Sequence, residues 1–301
     1  MSDQVWVVGE VLIDLIPDGD KHFAVVGGGP ANTAKALAKL GVKTYFIDGI
    51  STDKYGQMAK AALLSANVLL DYAQHSNKPT CTAKVKLSKS VSASYEFVIE
   101  GTATFDFSDL WLPDPQNLKP SLLHIGTLAT IIEPGASVLF KWAQSVAQVA
   151  PIVFDPNIRP AVLGDRDEYV KKVEKWVAIS SAVKVSDEDL NWLYPGKAIN
   201  EIVNEWLEVG VELVVVTLGE QGITALRRNE QISFGAVKVV VADTVGAGDT
   251  VGAVLVEAIV KNGFDRLTGE VLKTMLKRAA KAAAITVSRT GANPPSKDEI
   301  G

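Results

Sequence analysis

The chain predicts one large α/β domain on a mostly parallel sheet, with a small β subdomain attached. Three observations predict it. Short apolar runs alternate with amphipathic helical stretches along nearly the whole length. The run at 211–217, Val-Glu-Leu-Val-Val-Val-Thr, is so rich in β-branched residues that it reads as a parallel strand buried on both faces. From about Thr80 to Ile99 the helical pattern stops, and Thr82, Lys84 and Lys86 alternate with Ala83, Val85 and Leu87. Alternation of that kind marks strands with one face in water. The 301 residues, 47% hydrophobic and 22% charged, allow one such domain or two of average size. No internal repeat or low-complexity linker divides them, so 1–301 is read as a single domain, its β subdomain formed by roughly 11–26 and 80–107.

Taken in order, 5–8 is a buried strand ending at Gly9-Glu10, and Val11, Leu12, Ile13 and Leu15 continue it around Asp14. A carboxylate among apolar residues is costly to bury without partners. Either Asp14 faces solvent, or the strand delivers it to a pocket where it accepts hydrogen bonds from a polyol; the second is favoured because perturbed carboxylates cluster at functional sites. Residues 22–26 form another short strand. Strands follow at 42–50 and 68–72 around a helix at 54–66. In the β subdomain Phe97 or Tyr95 could close over a ligand, although ordinary packing is the commoner role of a strand aromatic. An open, half-apolar sheet is also a candidate dimer surface. Strand and helix then alternate again: strands at 122–126, 152–154, 182–185 and 211–217, helices at 135–150, 167–179, 187–193, 247–262 and 268–288.

Loops between these elements carry the chemistry. Gly27-Gly28-Gly29-Pro30-Ala31-Asn32 opens a helix that Gly41 stops. It is neither a P-loop, since no Gly-Lys-Ser/Thr follows, nor a dinucleotide fingerprint, since Gly-x-Gly-x-x-Gly fails. Asn32, on the first turn, can donate and accept at once, which suits a sugar hydroxyl and equally a local cap. Asp155-Pro156-Asn157-Ile158-Arg159-Pro160 leaves the carboxyl end of a core strand, where ligands collect in open parallel sheets. Arg159 offers a planar fork of donors for a phosphate or polyol. Gly219 and Gly222 follow Thr217 in a turn where backbone can approach a nucleotide, or which a plain hairpin would use.

The most informative stretch is Asp243-Thr244-Val245-Gly246-Ala247-Gly248-Asp249-Thr250. Small residues precede a carboxylate, and a helix opens at about Ala247. Its first amides lack intrahelical partners and carry the positive end of the helix dipole, and glycines let them approach an anion. An anion cradle beside Asp249 suits phosphoryl transfer: amides stabilise the moving group, and the carboxylate accepts a proton from the attacking hydroxyl. By itself the octapeptide fits an ordinary capped helix equally well.

Composition excludes other classes. With a net charge of −5, a pI of about 5.4 and no basic patch, neither nucleic acid nor an anionic membrane is an expected partner. The single Cys81 excludes an intrachain disulfide, fits a reducing compartment and reads as an inert packed residue. No signal-peptide pattern and no apolar stretch of the ~20 residues needed to span a bilayer is evident, so a cytoplasmic location is expected.

Together, the glycine loop near the start and the 243–249 motif near the end resemble the ribokinase-like, PfkB-type sugar kinases over nearly the whole length. Gly9 to Asp14, Phe154 to Pro160, Lys184 to Glu188 and Gly291 to Pro295 are most similar to the bacterial fructokinases. The resemblance implies a three-layer αβα domain with a β lid, and an ATP-dependent kinase acting on a primary sugar hydroxyl. Asp249 matches the catalytic base, and Gly246, Ala247 and Gly248 the anion hole. Asp14, Gly28 and Asn32 match sugar-binding positions, with Arg159 near substrate or phosphate, and Phe97 is taken as a further substrate-binding candidate from the lid. Lys184, Thr217, Gly219, Gly222, Gly248 and Asn293 match the nucleotide site. Mg²⁺ is implied with ATP, and K⁺ as an activator held near Asp243 and Val245. Where the family often has Asn-x-x-Glu, this chain reads Ser186-Asp187-Glu188-Asp189, leaving Glu188 and Asp189 as candidates for the Mg²⁺ water shell. A homodimer through the lid is expected. Alternatives are a 2-keto-3-deoxygluconate or riboside kinase, and a non-catalytic sugar-binding regulator on the same fold; an oxidoreductase is weaker, because no dinucleotide fingerprint follows the first strand.

Overall fold

The computed structural model describes residues 4–19, 21–87 and 93–301. In chain order, strand β1 (Gln4–Val8) is followed by β2 (Leu12–Asp18), β3 (Lys21–Gly27), helix α1 (Gly29–Lys39), β4 (Lys43–Ile47), β5 (Gly49–Ser51) and α2 (Lys54–Ser65). Then come β6 (Gln74–Ser76), β7 (Thr82–Leu87), β8 (Ala93–Val98), α3 (Pro115–Leu118), β9 (Leu122–Gly126), α4 (Gly135–Val146), β10 (Ile152–Asp155) and α5 (Arg166–Val177). The last part contains β11 (Ala182–Ser186), α6 (Asp187–Leu193), α7 (Ile199–Glu208), β12 (Leu213–Thr217), β13 (Ile223–Arg227), β14 (Glu230–Phe234), α8 (Ala247–Arg266), α9 (Gly269–Val287) and α10 (Lys297–Ile300).

Eight strands form the main sheet in the order β14-β13-β12-β11-β10-β9-β1-β4. All neighbours from β4 to β12 are parallel, and β13 and β14 add an antiparallel edge. Alternation along each strand divides the core in two. Trp6, Leu123, Phe154, Val183 and Val214 face one way, against Trp142, Trp176 and Trp206 of α4, α5 and α7. Val5, Leu122, Val153, Ala182 and Val215 face the other way, against α1, α8 and α9. Helices therefore cover both faces, as a parallel sheet requires.

A separate four-stranded sheet has the order β3-β2-β7-β8, with β2 and β7 parallel and the other pairs antiparallel. Asp14 pairs in register with Val25 and Ala83, and Ala83 with Phe97, so these four share one face. Residues 99–107, expected within the β subdomain, leave it: Ala103, Phe105 and Phe107 are buried, the two aromatics among the core residues of the main sheet. Hydrophobic demand from that core outweighs continuation of the strand.

Two other expectations are corrected. The single strand over 42–50 is two, β4 and β5, which join different sheets. The strand over 68–72 is absent; only Leu69 bridges to Tyr45, and the strand of that region is β6, paired with β5. Helix α8 reads through Arg266, but Gly263 is non-helical at φ 70°, so the helical path breaks one residue past the expected end. The side chain of Tyr95 lies outside the described ones.

Candidate active site

Two loop–helix junctions meet at the carboxyl edge of the main sheet. Gly28 caps α1 at φ 107°, and Gly246 caps α8 at φ 82°, conformations that L side chains rarely adopt. The first turns touch directly: Asn32 Nδ2 donates to Asp249 Oδ2 at 2.9 Å, and Thr33 Oγ1 donates to the Asp249 carbonyl at 3.4 Å. Asn32 Oδ1 is buried with no partner among the described residues. Asp249 is only 8% exposed. Burial pushes its carboxyl up to about 6, against the pull of Lys184 and the Asn32 bond. That places its proton affinity near the range useful to a base at neutral pH.

Of the three amides read as an anion hole, those of Gly246 and Gly248 donate to no carbonyl among the described residues. Ala247 differs from the expectation of a free donor. Its N–H reaches back to the Thr244 carbonyl at 3.4 Å, because the turn that precedes the helix closes over three residues. Thr250 N already bonds the Gly246 carbonyl at 2.9 Å as the first full helical bond.

Behind this loop, three strands each carry a polar residue on the α8 side of the sheet. Leu122, Val153 and Ala182 face α8, so His124, Asp155 and Lys184, two residues on, do as well. Lys184 Nζ bonds Asp155 Oδ2 at 3.0 Å, both side chains being buried. Burial works against the ammonium, but the carboxylates of Asp155 and Asp249 outweigh it and hold the Lys184 pKa above its ordinary value. Burial raises Asp155 despite the pairing. A Cβ on Gly248 would come within 2.8 Å of Lys184 Nζ, which fixes that cation against the Gly248 backbone. His124 is buried with neither ring nitrogen partnered among the described residues, and burial, then Lys184, drives its pKa down to about 3, so it is neutral.

On the other side of Asp249, Asp14 is half-buried and pushed up to about 6 by burial, offset by Arg159. Arg159 Nη1 donates to Asn157 O at 2.9 Å, Asn157 Oδ1 at 2.7 Å and Ile158 O at 2.9 Å. Phe97 is half-buried against the main core. Glu10 lies under Gly28, whose Cβ would overlap the Glu10 carbonyl. Its carboxyl accepts from Thr127 Oγ1, its Oε2 has no partner, and burial raises its pKa to about 7.

The remaining predicted residues lie farther round the same edge. Thr217 ends β12, and Gly219 (φ 53°) and Gly222 (φ 103°) form a 3-10 turn into β13. Asn293 is exposed, its Oδ1 taken by Lys39 Nζ at 3.0 Å. Asp243 binds two amides with its carboxylate, Val245 N at 3.0 Å and Gly291 N at 2.9 Å, and so ties the loop to the C-terminal segment; Val245 is exposed. Glu188 is exposed. Asp189 is buried, completing a capping box with Ser186 and accepting from Ile158 N at 3.2 Å. Among the described residues, no group of three His, Cys, Asp or Glu could hold a metal ion. Cys81 is buried with its pKa raised by burial, an inert thiol.

Sequence reading missed Glu10, His124 and Asp155 as members of this edge. Glu10 and Asp155 each close a buried strand run with a carboxylate, a signal that was available. His124 sits inside such a run and gives no comparable sign.

A helix start with uncommitted amides, a perturbed carboxylate and several donors and acceptors, on a doubly covered parallel sheet, form a site suited to phosphoryl transfer to a hydroxylated molecule. The model of the pfkB family carbohydrate kinases matches residues 2–299, and the chain belongs to that family and is a carbohydrate kinase. It is 35% identical over 250 residues to a fructokinase of Rhizobium leguminosarum bv. trifolii, covering 81% of this chain and 76% of the relative. A fructokinase of Klebsiella pneumoniae is 28% identical over 312 residues, covering 100% and 99%. Among solved structures, a Vibrio cholerae O395 fructokinase with fructose, ADP and potassium ion bound superposes with a TM-score of 0.86 at 28% identity, over 96% of this chain and 93% of that one. A Xylella fastidiosa fructokinase with bound ATP reaches 0.92 over 100% and 97% at 22% identity, a likeness of fold.

Proposed function

We propose that this chain is an ATP-dependent fructokinase, transferring the γ-phosphoryl group to a primary hydroxyl of fructose. The observation that carries the reading is the 2.9 Å bond between Asn32 and Asp249, which joins the two glycine loops beside uncommitted amides of Gly246 and Gly248. The names of the relatives supply the sugar.

Asp249 accepts the proton of the attacking hydroxyl, and Asn32 holds the carboxylate that receives it. The free amides and the Lys184 ammonium offset charge on the migrating group. Asp14, Gly28, Asn32 and Arg159 orient the polyol, and Phe97 packs the small sheet over it. Thr217, Gly219, Gly222 and Asn293 flank the nucleotide. The buried, partnerless Asp155 Oδ1 and the adjacent Asp189 fit the water shell of Mg²⁺, with the exposed Glu188 at its margin. That ion, when bound, neutralises phosphate charge. Asp243 and the Val245 backbone are the candidates for a K⁺ that would brace the α8 loop.

ADP release measured over fructose, 2-keto-3-deoxygluconate and a riboside tests the reading. The largest kcat/KM is expected with fructose. A preference of tenfold or more for either other compound would replace it, and absence of turnover with all three would favour the non-catalytic sugar-binding regulator.

The small sheet is proposed as a lid and as the dimer surface. Phe23 is 63% and Ile16 37% exposed, and they are register partners on the Asp14 face. Light scattering is expected to give twice the chain mass, falling to the monomer in Phe23→Asp; a wild-type monomer would remove the dimer. A cytoplasmic location is part of the proposal; among the described residues no helix is long and apolar enough to cross a membrane.

A further inference from the structure

Asn157 takes no part in the roles assigned so far, yet it stands between two groups that do. It lies two residues past the end of β10, a central strand of the main sheet, and its φ is 35°. A non-glycine residue there is uncommon, and Asn is among the few side chains that tolerate it. Its two ends differ in their commitments. Oδ1 accepts from Arg159 Nη1 at 2.7 Å, and the Asn157 carbonyl accepts from the same nitrogen at 2.9 Å. A guanidinium only donates, so the amide orientation is fixed and Nδ2 must point the other way. Nδ2 donates to no acceptor among the described residues. It lies 3.1 Å from the point a Cβ on Gly29 would occupy, and Asp249 Oδ1 lies 3.3 Å from that same point. Both groups therefore close on the same side of Gly29, a free N–H donor and the oxygen of Asp249 that Asn32 leaves unbound, at an approach that the absent Gly29 side chain permits.

We infer that Asn157 is a sugar-recognition residue: its Oδ1 holds the Arg159 fork in place while its Nδ2 donates to a substrate oxygen beside the hydroxyl that Asp249 accepts. The inference rests on the kinase reading above. A substrate hydroxyl that reaches Asp249 Oδ1 would give it its hydrogen, and a neighbouring substrate oxygen would accept from Nδ2. A polyol with adjacent oxygens satisfies both, and a substrate lacking the second oxygen leaves the amide unpaired.

Asn157→Asp separates the two duties, because it keeps the acceptor for Arg159 and replaces the free donor with an acceptor. Fructose KM, or the KM of whichever sugar the wild type turns over best, is expected to rise about tenfold to a hundredfold, with ATP KM within about twofold of wild type. Asn157→Gly tolerates the backbone conformation and removes both duties, and its sugar KM is expected to rise at least as far, with thermal unfolding measured alongside. Sugar KM unchanged in Asn157→Asp would overturn the inference and reduce Asn157 to an anchor for Arg159. A rise in ATP KM equal to that for sugar would overturn it as well, since the donor would then serve the nucleotide. A wild type that phosphorylates no sugar sinks the kinase reading itself, and this inference with it.

Discussion

The two glycine loops, 27–29 ahead of α1 and 246–248 ahead of α8, look alike in sequence and differ in what their glycines do. In the first, the absent side chains are required by the protein itself. A Cβ on Gly27 would overlap the Asp14 carboxylate, and one on Gly28 the backbone carbonyl of Glu10. In the second, a Cβ on Gly246 would press on Ala292, but Gly248 abuts only the flexible end of Lys184, at 2.8 Å, and the amides of Gly246 and Gly248 donate to no carbonyl among the described residues. The first loop is a packing solution that places Asn32; the second is packed at Gly246 and open at Gly248. Similar composition thus serves the fold in one place and chemistry in the other.

Removing the group on which both loops converge should give the largest effect. Asp249→Asn keeps an acceptor for Asn32 but cannot take a proton. Its kcat is expected to fall by about 10²- to 10⁴-fold, the usual contribution of a positioned base. A loss under tenfold would separate the convergence of the loops from the chemistry.

Alanine in each loop tests the contrast itself. Gly28→Ala combines φ 107° with a backbone overlap and is expected to cost about 2–4 kcal/mol of stability, read by denaturant unfolding. Gly248→Ala, on a helical turn, should change stability by less than about 1 kcal/mol. Its expected effect is on turnover, because the methyl group displaces Lys184 and blocks the approach of the phosphoryl group. Equal destabilisation by both would erase the distinction drawn between them.

pH gives the smallest and most diagnostic effect. With Asp249 raised from 3.8 to about 6, kcat/KM should fall as pH drops below about 6. The same shift has a stability consequence of opposite sense. An acid whose folded pKa lies above its unfolded one opposes folding progressively from about pH 4 to 6, and fully above that. Asp249→Asn should therefore unfold later than wild type at pH 8, by at most about 3 kcal/mol, and the advantage should vanish near pH 3.5. A variant less stable than wild type at pH 8 would mean that the Asp249 charge is compensated by Lys184 and Arg159 more fully than burial penalises it.

How much was legible beforehand follows the same division. The Asp249 helix start, the alternation that sets the main sheet, and the β-only interval all announce themselves through local pattern. Residues 99–107 did not, because the pull of Phe105 and Phe107 into the core acts only once that core exists. His124 and Lys184 sit inside apolar runs, and nothing local says that these two positions, with Asp155 on a third strand, converge behind α8. Asp189 reads as a metal-shell candidate, and only the folded chain adds that its carboxylate also closes the α6 cap and accepts from the Ile158 amide.

Sequence by itself determined the layered α/β architecture, the family and the two helix starts, because hydrophobic period, glycine placement and terminal carboxylates act over a few neighbouring residues. Tertiary structure alone decided which oxygen of Asp249 stays unbound, that Lys184 pairs with Asp155, and that Asn157 Nδ2 and Asp249 Oδ1 close on the same side of Gly29. Those outcomes depend on distances between strands far apart in the chain and on burial, which sets proton affinity through the loss of water around each charge.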